Sequence, residues 1–346
     1  MARAPKAAII EGAPIEPDLL DNAPAPREST ALFGHAGARA QLAEAFGAKP
    51  PQGLILSGAR GIGKATLAFR LAKALISGAP LSEGLDSDPA SRDVHQIVAG
   101  THPSLLHLTR AWDDKTKRFK SELSVDTVRR LVPFLGATAA GGGWRIVIVD
   151  ALDDMNPNAA NALLKSLEEP PKRTLFLLIA HVAGRVMPTI RSRCQVVRMT
   201  PLGRADMAAA LSHLDADSQL AAAADGSVRR ALSLAAAGAD AVKSAERLLS
   251  GDLNDTRRRA QIADLAATKR GEHFAVVADL TLDAFAARAR RGAGKAPLGA
   301  LDAYARAYLE ALAERRRVEI FNLDRKEFIL ALTARMAEAD ALAKRS

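Results

Sequence analysis

Three stretches between residues 54 and 198 contain uninterrupted runs of apolar residues. They are LIL at 54–56, RIVIVD at 145–150 and LFLLIA at 175–180. LIL is a short apolar run directly before a glycine-rich loop. In RIVIVD and LFLLIA at least four successive positions are apolar, so both faces of the strand are expected to be buried, as is typical of parallel sheets. The pattern therefore predicts three strands, two of which are buried on both faces.

Helix patterns separate these strands. Residues 64–75 read as one helix, and another begins with Asn156 as N-cap and Pro157 at its first position and stops at Pro170. A further helix is predicted from an apolar stripe with i, i+3, i+4, i+7 spacing, formed by Val128, Leu131, Val132 and Leu135. Strands that alternate with helices predict a three-layer α/β sandwich.

After about residue 201 strand patterns become rare, and an alanine-rich sequence that favours helices continues to the end. The stretch GAGKAP at 292–297 is predicted to be a loop within it. We therefore predict four segments: a flexible leader at 1–29, the α/β domain at 30–200, a small helical unit at 201–247 and a second helical unit at 248–346.

The chain is strongly basic, with a formal net charge of +9 and an isoelectric point near 9.9. Such a charge suits a polyanionic partner such as nucleic acid, because contacts with phosphates release counterions. It follows equally from general arginine usage, so composition leaves both readings open. Three arginine clusters, at 257–259, 288–291 and 315–317, are predicted to be solvated helix faces.

Cysteine content and hydropathy restrict the location of the protein. Cys194 is the single cysteine of the sequence, so an intramolecular disulfide is excluded and a reducing compartment is favoured. No apolar run approaches the roughly 18 residues of a membrane span, and the N-terminus lacks the apolar core of a secretion signal. We predict a cytoplasmic protein without a membrane partner.

The stretch GARGIGKATLAF at 58–69 has the glycine and lysine spacing of a phosphate-binding loop, the P-loop. Its key residues are Gly58, Gly61, Gly63 and Lys64. Glycines allow successive backbone N–H groups to face phosphate oxygens, and the following helix adds the positive end of its dipole. The lysine neutralises the terminal phosphates, so we predict a nucleotide-binding pocket.

Two positions of this pocket depart from a working ATPase. Ala65 stands where a hydroxyl normally holds Mg²⁺, and the hydroxyl of Thr66, the obvious substitute, lies about 100° around the helix. Asp150 is suited to face the metal, but the next residue, where a water-activating glutamate is expected, is Ala151. We therefore predict no metal site and no ATP turnover, and it remains open whether ATP or ADP binds without hydrolysis.

The segment PTIRSRC at 188–194 carries two arginines after the LFLLIA strand, Arg191 and Arg193. An arginine at a subunit edge can reach a neighbour's γ-phosphate and act as an arginine finger. A surface arginine beside a buried cysteine is an equally good reading of the same residues.

Taken in order, these motifs resemble the clamp-loader branch of the AAA+ family. The text that carries the resemblance is ALFGHAGARAQL, GARGIGKATLAFRLA, WRIVIVDALDDMNPNAANALLKSLEEPP, PTIRSRC and DGSVRRALSL. It is dense from about residue 31 to 235. The resemblance implies an AAA+ (RecA-like) P-loop sandwich at 30–200, a small helical lid domain at 201–247 and an all-α collar domain at 248–346.

The resemblance also implies residue roles. Arg193 would be the finger acting in trans on a neighbouring subunit, and Arg229 would be the sensor arginine of the lid, although Arg230 beside it competes for that role. The region Phe33–His35 would lie near the adenine, and the polar sensor position holds Ala180 or His181.

The same resemblance implies partner subunits, and it shows one segment in which this sequence differs from many relatives. The partners are clamp-loader subunits (gamma/tau and delta), with the sliding clamp and primed DNA reached through the complex. Many relatives carry a four-cysteine zinc module after the P-loop helix, but the stretch at 78–103 contains only His95 and His102 as candidate ligands. Two histidines without thiolates seldom form a structural zinc site, so we predict no zinc.

Three functional hypotheses follow. The first is a non-hydrolysing clamp-loader subunit that lends Arg193 to a neighbour. The second is an active ATPase of the same fold, similar to gamma/tau, and the third is a basic DNA-binding module that uses the arginine clusters directly. No residue pattern indicates nucleotidyl transfer, so a DNA polymerase activity would attach to this chain only through its holoenzyme.

Overall fold

The chain folds into two compact units, Met1–Arg229 and Arg230–Ser346. Their boundary lies inside the segment predicted as the small helical unit, and the predicted domain limits stay predictions. The computed structural model describes residues 16–20, 22–81, 85–137, 143–182, 184, 186–268, 272–292, 298–321 and 323–345. Gly292, the first residue of the predicted loop at 292–297, ends the helix Glu272–Gly292. The rest of that loop, 293–297, and the first half of the predicted leader, 1–15, lie outside the described residues.

The described residues of the first unit form seven strands, and most of the helices alternate with them. The strands are β1 (Gly53–Ser57), β2 (Leu105–Leu108), β3 (Trp112–Asp113), β4 (Arg118–Phe119), β5 (Arg145–Asp150), β6 (Thr174–Ala180) and β7 (Gln195–Arg198). The helices are α1 (Ala36–Ala48), α2 (Lys64–Ser77), α3 (Arg92–Val98), α4 (Val125–Arg129), α5 (Leu131–Gly136), α6 (Pro157–Glu168), α7 (Pro188–Arg191) and α8 (Arg204–His213), and α9 (Val228–Ala237) crosses the boundary.

Five of the strands form one parallel sheet in the order β2–β5–β6–β1–β7. The three apolar runs of the sequence are β1, β5 and β6, and they occupy the three interior positions, where both faces are covered. The three predicted strands are confirmed, and β5 and β6 are buried on both faces as expected. The edge strands β2 and β7 were not predicted, because they are short and their exposed positions interrupt the apolar pattern.

Two cores lie on opposite faces of the sheet. Ile148 of β5 packs into one core with Leu67 of α2, and its neighbour Val149 packs into the other with Leu163 of α6. Adjacent residues of a strand point to opposite faces, so each strand contributes to both cores. The parallel α/β sandwich predicted from the sequence is therefore confirmed.

The helical stripe predicted from Val128 to Leu135 is wrong in one respect. Val128 and Leu131 are buried, but Val132 is 71% exposed. The chain forms two short helices, α4 and α5, with Arg130 between them, so the stripe does not continue on one face. Spacing of apolar residues cannot detect such a break.

Two charged residues of the segment predicted as a flexible leader, 1–29, are packed into the first unit. Glu16 and Arg27 are both buried and form an ion pair with each other. His107 of β2 lies 3.3 Å from the same carboxylate, measured from Nδ1 to Oε1. Buried charges require partners, and these partners hold the segment against the sheet.

The second unit is helical in its described residues. Its helices after α9 are α10 (Ala239–Leu249), α11 (Thr256–Ala267), α12 (Glu272–Gly292), α13 (Leu298–Phe321) and α14 (Arg325–Arg345). Across the described part of the chain, no helix has both the length and the hydropathy needed to cross a membrane.

Two of the arginine clusters are not simply solvated helix faces. Arg288 forms an ion pair with Asp340, and Arg315 forms one with Asp279. The Arg288 side chain also donates a hydrogen bond of 2.7 Å to the carbonyl oxygen of Leu249. These guanidinium groups join helices inside the unit, which the sequence pattern did not indicate.

Phe176, in the middle of β6, is fully buried, and we expect F176A to destabilise the first unit by about 3–5 kcal/mol, the usual cost of a large core cavity. Both tryptophans, Trp112 and Trp144, lie in this unit, so tryptophan fluorescence during urea unfolding reports on it. V132A, at an exposed position, is the control and should change stability by less than about 0.5 kcal/mol. Equal effects of the two substitutions would contradict the described core.

Candidate functional site

The glycine-rich loop lies between the carboxyl end of β1 and the start of α2. The Gly58 N–H donates a hydrogen bond of 3.2 Å to the carbonyl oxygen of Ala180, the last residue of β6. Gly61 and Gly63 have φ angles of +78° and +103°, a region that other residues rarely adopt. The loop conformation therefore depends on glycine at these two positions.

Lys64 is the first residue of α2, and its side chain is buried inside the loop. Its Nζ donates hydrogen bonds of 2.7 Å and 2.5 Å to the carbonyl oxygens of Gly58 and Ala59. Burial lowers the pKa of the ammonium group to about 8, although the carboxylates of Asp150 and Asp153 act in the opposite direction. A phosphate group beside this Nζ would raise the pKa again, because an anion favours the charged form.

The segment around Arg229 packs directly on the loop. The Ser227 hydroxyl donates to the carbonyl oxygen of Arg60 at 3.0 Å, and the Arg229 N–H donates to that of Gly61 at 3.3 Å. A Cβ atom at Gly61 would lie 2.5 Å from the Ser227 Oγ and collide with Arg229. Arg229 therefore belongs to the loop, whereas Arg230 pairs with Asp283.

The carboxyl ends of β5 and β6 provide the acidic side of the site. Asp150 ends β5, and burial raises the pKa of its carboxyl group. Asp153, which sequence analysis missed, accepts hydrogen bonds from the N–H groups of His181 and Val182 at 2.6 Å and 3.0 Å. The run DALDD contained it, but the run offered no sign of which carboxylate joins the next strand.

Two histidines border the loop. The His35 Nε2 lies 2.6 Å from the carbonyl oxygen of Ile62, which places the predicted adenine-side segment beside the loop. His181 follows β6, and burial together with the nearby cations Lys64 and Arg60 lowers its pKa to about 3. His181 is therefore neutral at physiological pH.

Asp18 is a second residue that sequence analysis missed. Its carboxylate accepts from Arg60 at 2.6 Å and from Arg110 at 2.8 Å, and its main-chain carbonyl accepts from Arg229. Nothing in the proline-rich leader suggested that an acidic residue there reaches the loop.

Arg193 lies at the opposite edge of the sheet. The neighbouring Cys194 packs against Gly53, the first residue of β1, and burial raises the pKa of its thiol to about 12. The Arg193 guanidinium donates to a carboxylate oxygen of Glu168 and to the carbonyl oxygen of Thr189, both at 2.9 Å. It is 38% exposed, so it lies at the surface as predicted.

The residues present fit a nucleotide better than they fit a metal-dependent reaction. The loop glycines, Lys64 and Arg229 form a cationic cradle of the kind that holds phosphates. At the position expected to ligate Mg²⁺ the side chain is the methyl group of Ala65, which packs on a hydrophobic core. Ala151 is also buried in that core. Thr66 lies one position further along α2, on a different side of the helix.

His102, one of the two candidate zinc ligands after the P-loop helix, has two polar neighbours within the chain. His102 is buried; its Nδ1 accepts a hydrogen bond of 3.1 Å from the Ser104 N–H, and its Nε2 lies 3.4 Å from Asp93. Among the described residues, no group of three or more histidine, cysteine, aspartate or glutamate side chains could hold a metal ion. The expected absence of zinc stays a prediction.

Residues 39–203 match the protein family described as DNA polymerase III, delta subunit. Over 164 residues the chain is 40% identical to DNA polymerase III subunit delta' of Pseudomonas aeruginosa. This match covers 47% of this chain and 45% of that protein. It is 34% identical over 148 residues to the delta' subunit of Escherichia coli K12 (43% and 42% covered). It is also 29% identical over 192 residues to the tau subunit of that bacterium (52% and 28%). The chain thus spans less than half the length of these relatives.

The low pKa of His181 predicts how the free energy of unfolding depends on pH. Because the folded state keeps this side chain neutral to about pH 3 while the unfolded chain protonates near pH 6.5, its contribution is complete above pH 6.5 and is lost as pH falls. Between pH 7 and pH 5 the wild type should lose about 2 kcal/mol more than H181N in urea unfolding. H95N, at an exposed position, should behave like the wild type; identical pH dependence in H181N would contradict the burial.

Proposed function

From the match of residues 39–203 to the family described as DNA polymerase III, delta subunit, and the 40% identity to a delta' subunit over 164 residues, we propose that the chain is a delta-prime-like subunit of a clamp loader. In this role it lends Arg193 in trans to the ATP site of a neighbouring subunit. The complex would load the sliding clamp on primed DNA during replication, and the neighbours would be gamma/tau and delta subunits. The chain itself would act in the cytoplasm and would not hydrolyse ATP.

The position of Arg193 carries the proposal. The Arg193 carbonyl oxygen lies at Gly53, the amino end of β1, whereas the glycine loop begins at Gly58, after the carboxyl end of that strand. The five residues of β1 therefore separate the backbone of Arg193 from the start of the glycine loop by roughly 16 Å along the strand. At this distance the chain's own pocket is out of reach of Arg193, so a phosphate that its guanidinium contacts would belong to another subunit.

Glu168 supports this role as a positioning residue. It ends α6 and holds the Arg193 guanidinium at 2.9 Å, while Thr189 accepts a second hydrogen bond. Both partners of the ion pair are substantially exposed, so the pair contributes little to stability. Its effect is to restrict the rotamers of Arg193, which lowers the entropy lost when a phosphate is bound.

The chain's own pocket supports the non-hydrolysing part of the proposal. Neither Ala65 nor Ala151 can ligate a metal or accept a proton, and both contribute to the hydrophobic core. Mg²⁺ neutralises the charge that develops during phosphoryl transfer, so its loss harms hydrolysis more than binding. Lys64 and Arg229 supply the positive charge of the cradle, which would attract the phosphates of ATP or ADP.

Two alternatives have weaker support. An active ATPase resembling tau is favoured by the identity to that subunit and by Lys64, but not by the two alanines. A DNA-binding module that uses the arginine clusters is disfavoured, because Arg288 and Arg315 are engaged with Asp340 and Asp279. A DNA polymerase activity would belong to the holoenzyme.

We expect R193A to leave assembly with the partner subunits intact and to reduce the DNA-stimulated ATPase of the reconstituted complex sharply. A finger typically contributes on the order of 10³–10⁵ in rate at the site it completes. R193K should also be defective, because lysine keeps the charge but loses the forked geometry. R191A, in the same exposed segment, is the control; an ATPase rate in R193A equal to that of R191A would refute the finger.

The purified chain should hydrolyse ATP at the background rate with or without Mg²⁺, and K64A should not change that rate. A phosphate-release assay on the isolated chain measures both. Magnesium-dependent turnover that disappears in K64A would favour the tau-like alternative, and it would leave the result for Arg193 unaffected.

A further inference from the structure

We infer that Asp18 occupies the phosphate-binding part of the loop, so that the segment from Glu16 to Leu20 and a nucleotide's phosphates exclude each other. The inference goes beyond the proposed function: it concerns the chain's own pocket, not the neighbour's, and rests on the nucleotide pocket proposed above but not on Arg193.

The contacts of Asp18 are those that a phosphate group would make. Its carboxylate lies 2.6 Å from a guanidinium nitrogen of Arg60, inside the glycine loop, and 2.8 Å from one of Arg110. Its carbonyl oxygen accepts from Arg229, the arginine that packs on Gly61. Oxygen atoms of a single residue thus bind Arg60 and Arg229, the two arginines at the loop, as the oxygens of a phosphate group would.

The electrostatic environment keeps this carboxylate ionised. Burial raises the pKa of Asp18, but the three guanidinium groups of Arg60, Arg110 and Arg229 outweigh that effect, and the net pKa is lowered. An ionised carboxylate near the loop also disfavours the approach of another anion, because like charges at this distance repel.

The segment is held by contacts on both sides of Asp18. Before it, Glu16 pairs with the buried Arg27 and with His107. After it, the carbonyl oxygen of Thr30 accepts from Arg70 of α2. These anchors fix the backbone around a residue whose φ angle is +65°, so the position of Asp18 is set by the folded domain and not by chance contact of a tail.

Arg110 connects the segment to the acidic side of the pocket. It binds Asp18 and also lies 3.3 Å from a carboxylate oxygen of Asp154, in the 3-10 helix that follows Asp150. A phosphate entering the cradle would compete with Asp18 for Arg60 and Arg229, while Asp154 would keep Arg110 partly neutralised. Removal of Asp18 is therefore the step that frees cations for a nucleotide.

The test is nucleotide binding by the purified full-length chain without Mg²⁺. We expect D18N to bind ADP and ATP about three- to tenfold more tightly than the wild type, because two partly exposed ion pairs no longer compete. The control is D126N, which removes the same charge from an exposed pair with Arg129 and should leave the affinity unchanged. Titration calorimetry measures all three proteins.

A second measurement does not depend on a variant. In the wild type, saturating ADP should increase hydrogen exchange at the backbone amide of Ala23, which donates to the carbonyl oxygen of Leu20, since displacement of Glu16 to Leu20 breaks this hydrogen bond. D126N should show the same increase. Equal affinities of D18N and the wild type, unchanged or increased protection of the Ala23 amide with ADP, or no nucleotide binding by any variant would each overturn the inference. None of these results alters the expectation for R193A, which is read from a neighbour's hydrolysis.

Discussion

The parallel hydrogen bonding of β1, β5 and β6 is the constraint on which the rest of the molecule depends. Ser57 of β1 lies opposite Ala180 of β6, and Asp150 of β5 lies opposite the neighbouring Ile179. Because the strands run in one direction, their carboxyl ends meet at one edge. The glycine loop, the acidic residues and His181 are brought together there, and Arg193 is left at the other edge. Strand direction alone therefore separates Arg193 from the glycine loop.

Charge balance explains the composition of that edge. Lys64 is buried with its ammonium group bound to loop carbonyls, and Arg60 and Arg229 lie close by. So many cations in one place require anions, because an unpaired buried charge is costly. Asp18 supplies a carboxylate from outside the sheet, and His181 stays neutral. The loop therefore keeps the form of a phosphate site while its charge is already partly compensated from within the chain.

The sequence predicted the interior strands and the loop because the signals for them are local. An unbroken apolar run needs burial on both faces, and glycines at positive φ have few substitutes. The prediction for Val132 failed for the opposite reason, and the contacts of Glu16 and Asp18 were missed for the same one. The break between α4 and α5 exposes Val132, which depends on what packs nearby, and Glu16 and Asp18 acquire their roles only from arginines and a histidine more than ten residues away.

By itself, the sequence determined the α/β class, the phosphate-binding loop and the replacement of its metal and base positions by Ala65 and Ala151. Each of these follows from the identity of neighbouring residues, so it can be recognised without knowledge of the fold. Tertiary structure decided the pairing of Arg193 with Glu168, the choice of Arg229 over Arg230 at the loop and the position of Asp18. These depend on which distant side chains the sheet and its loops bring within hydrogen-bonding distance, and no local pattern encodes such distances.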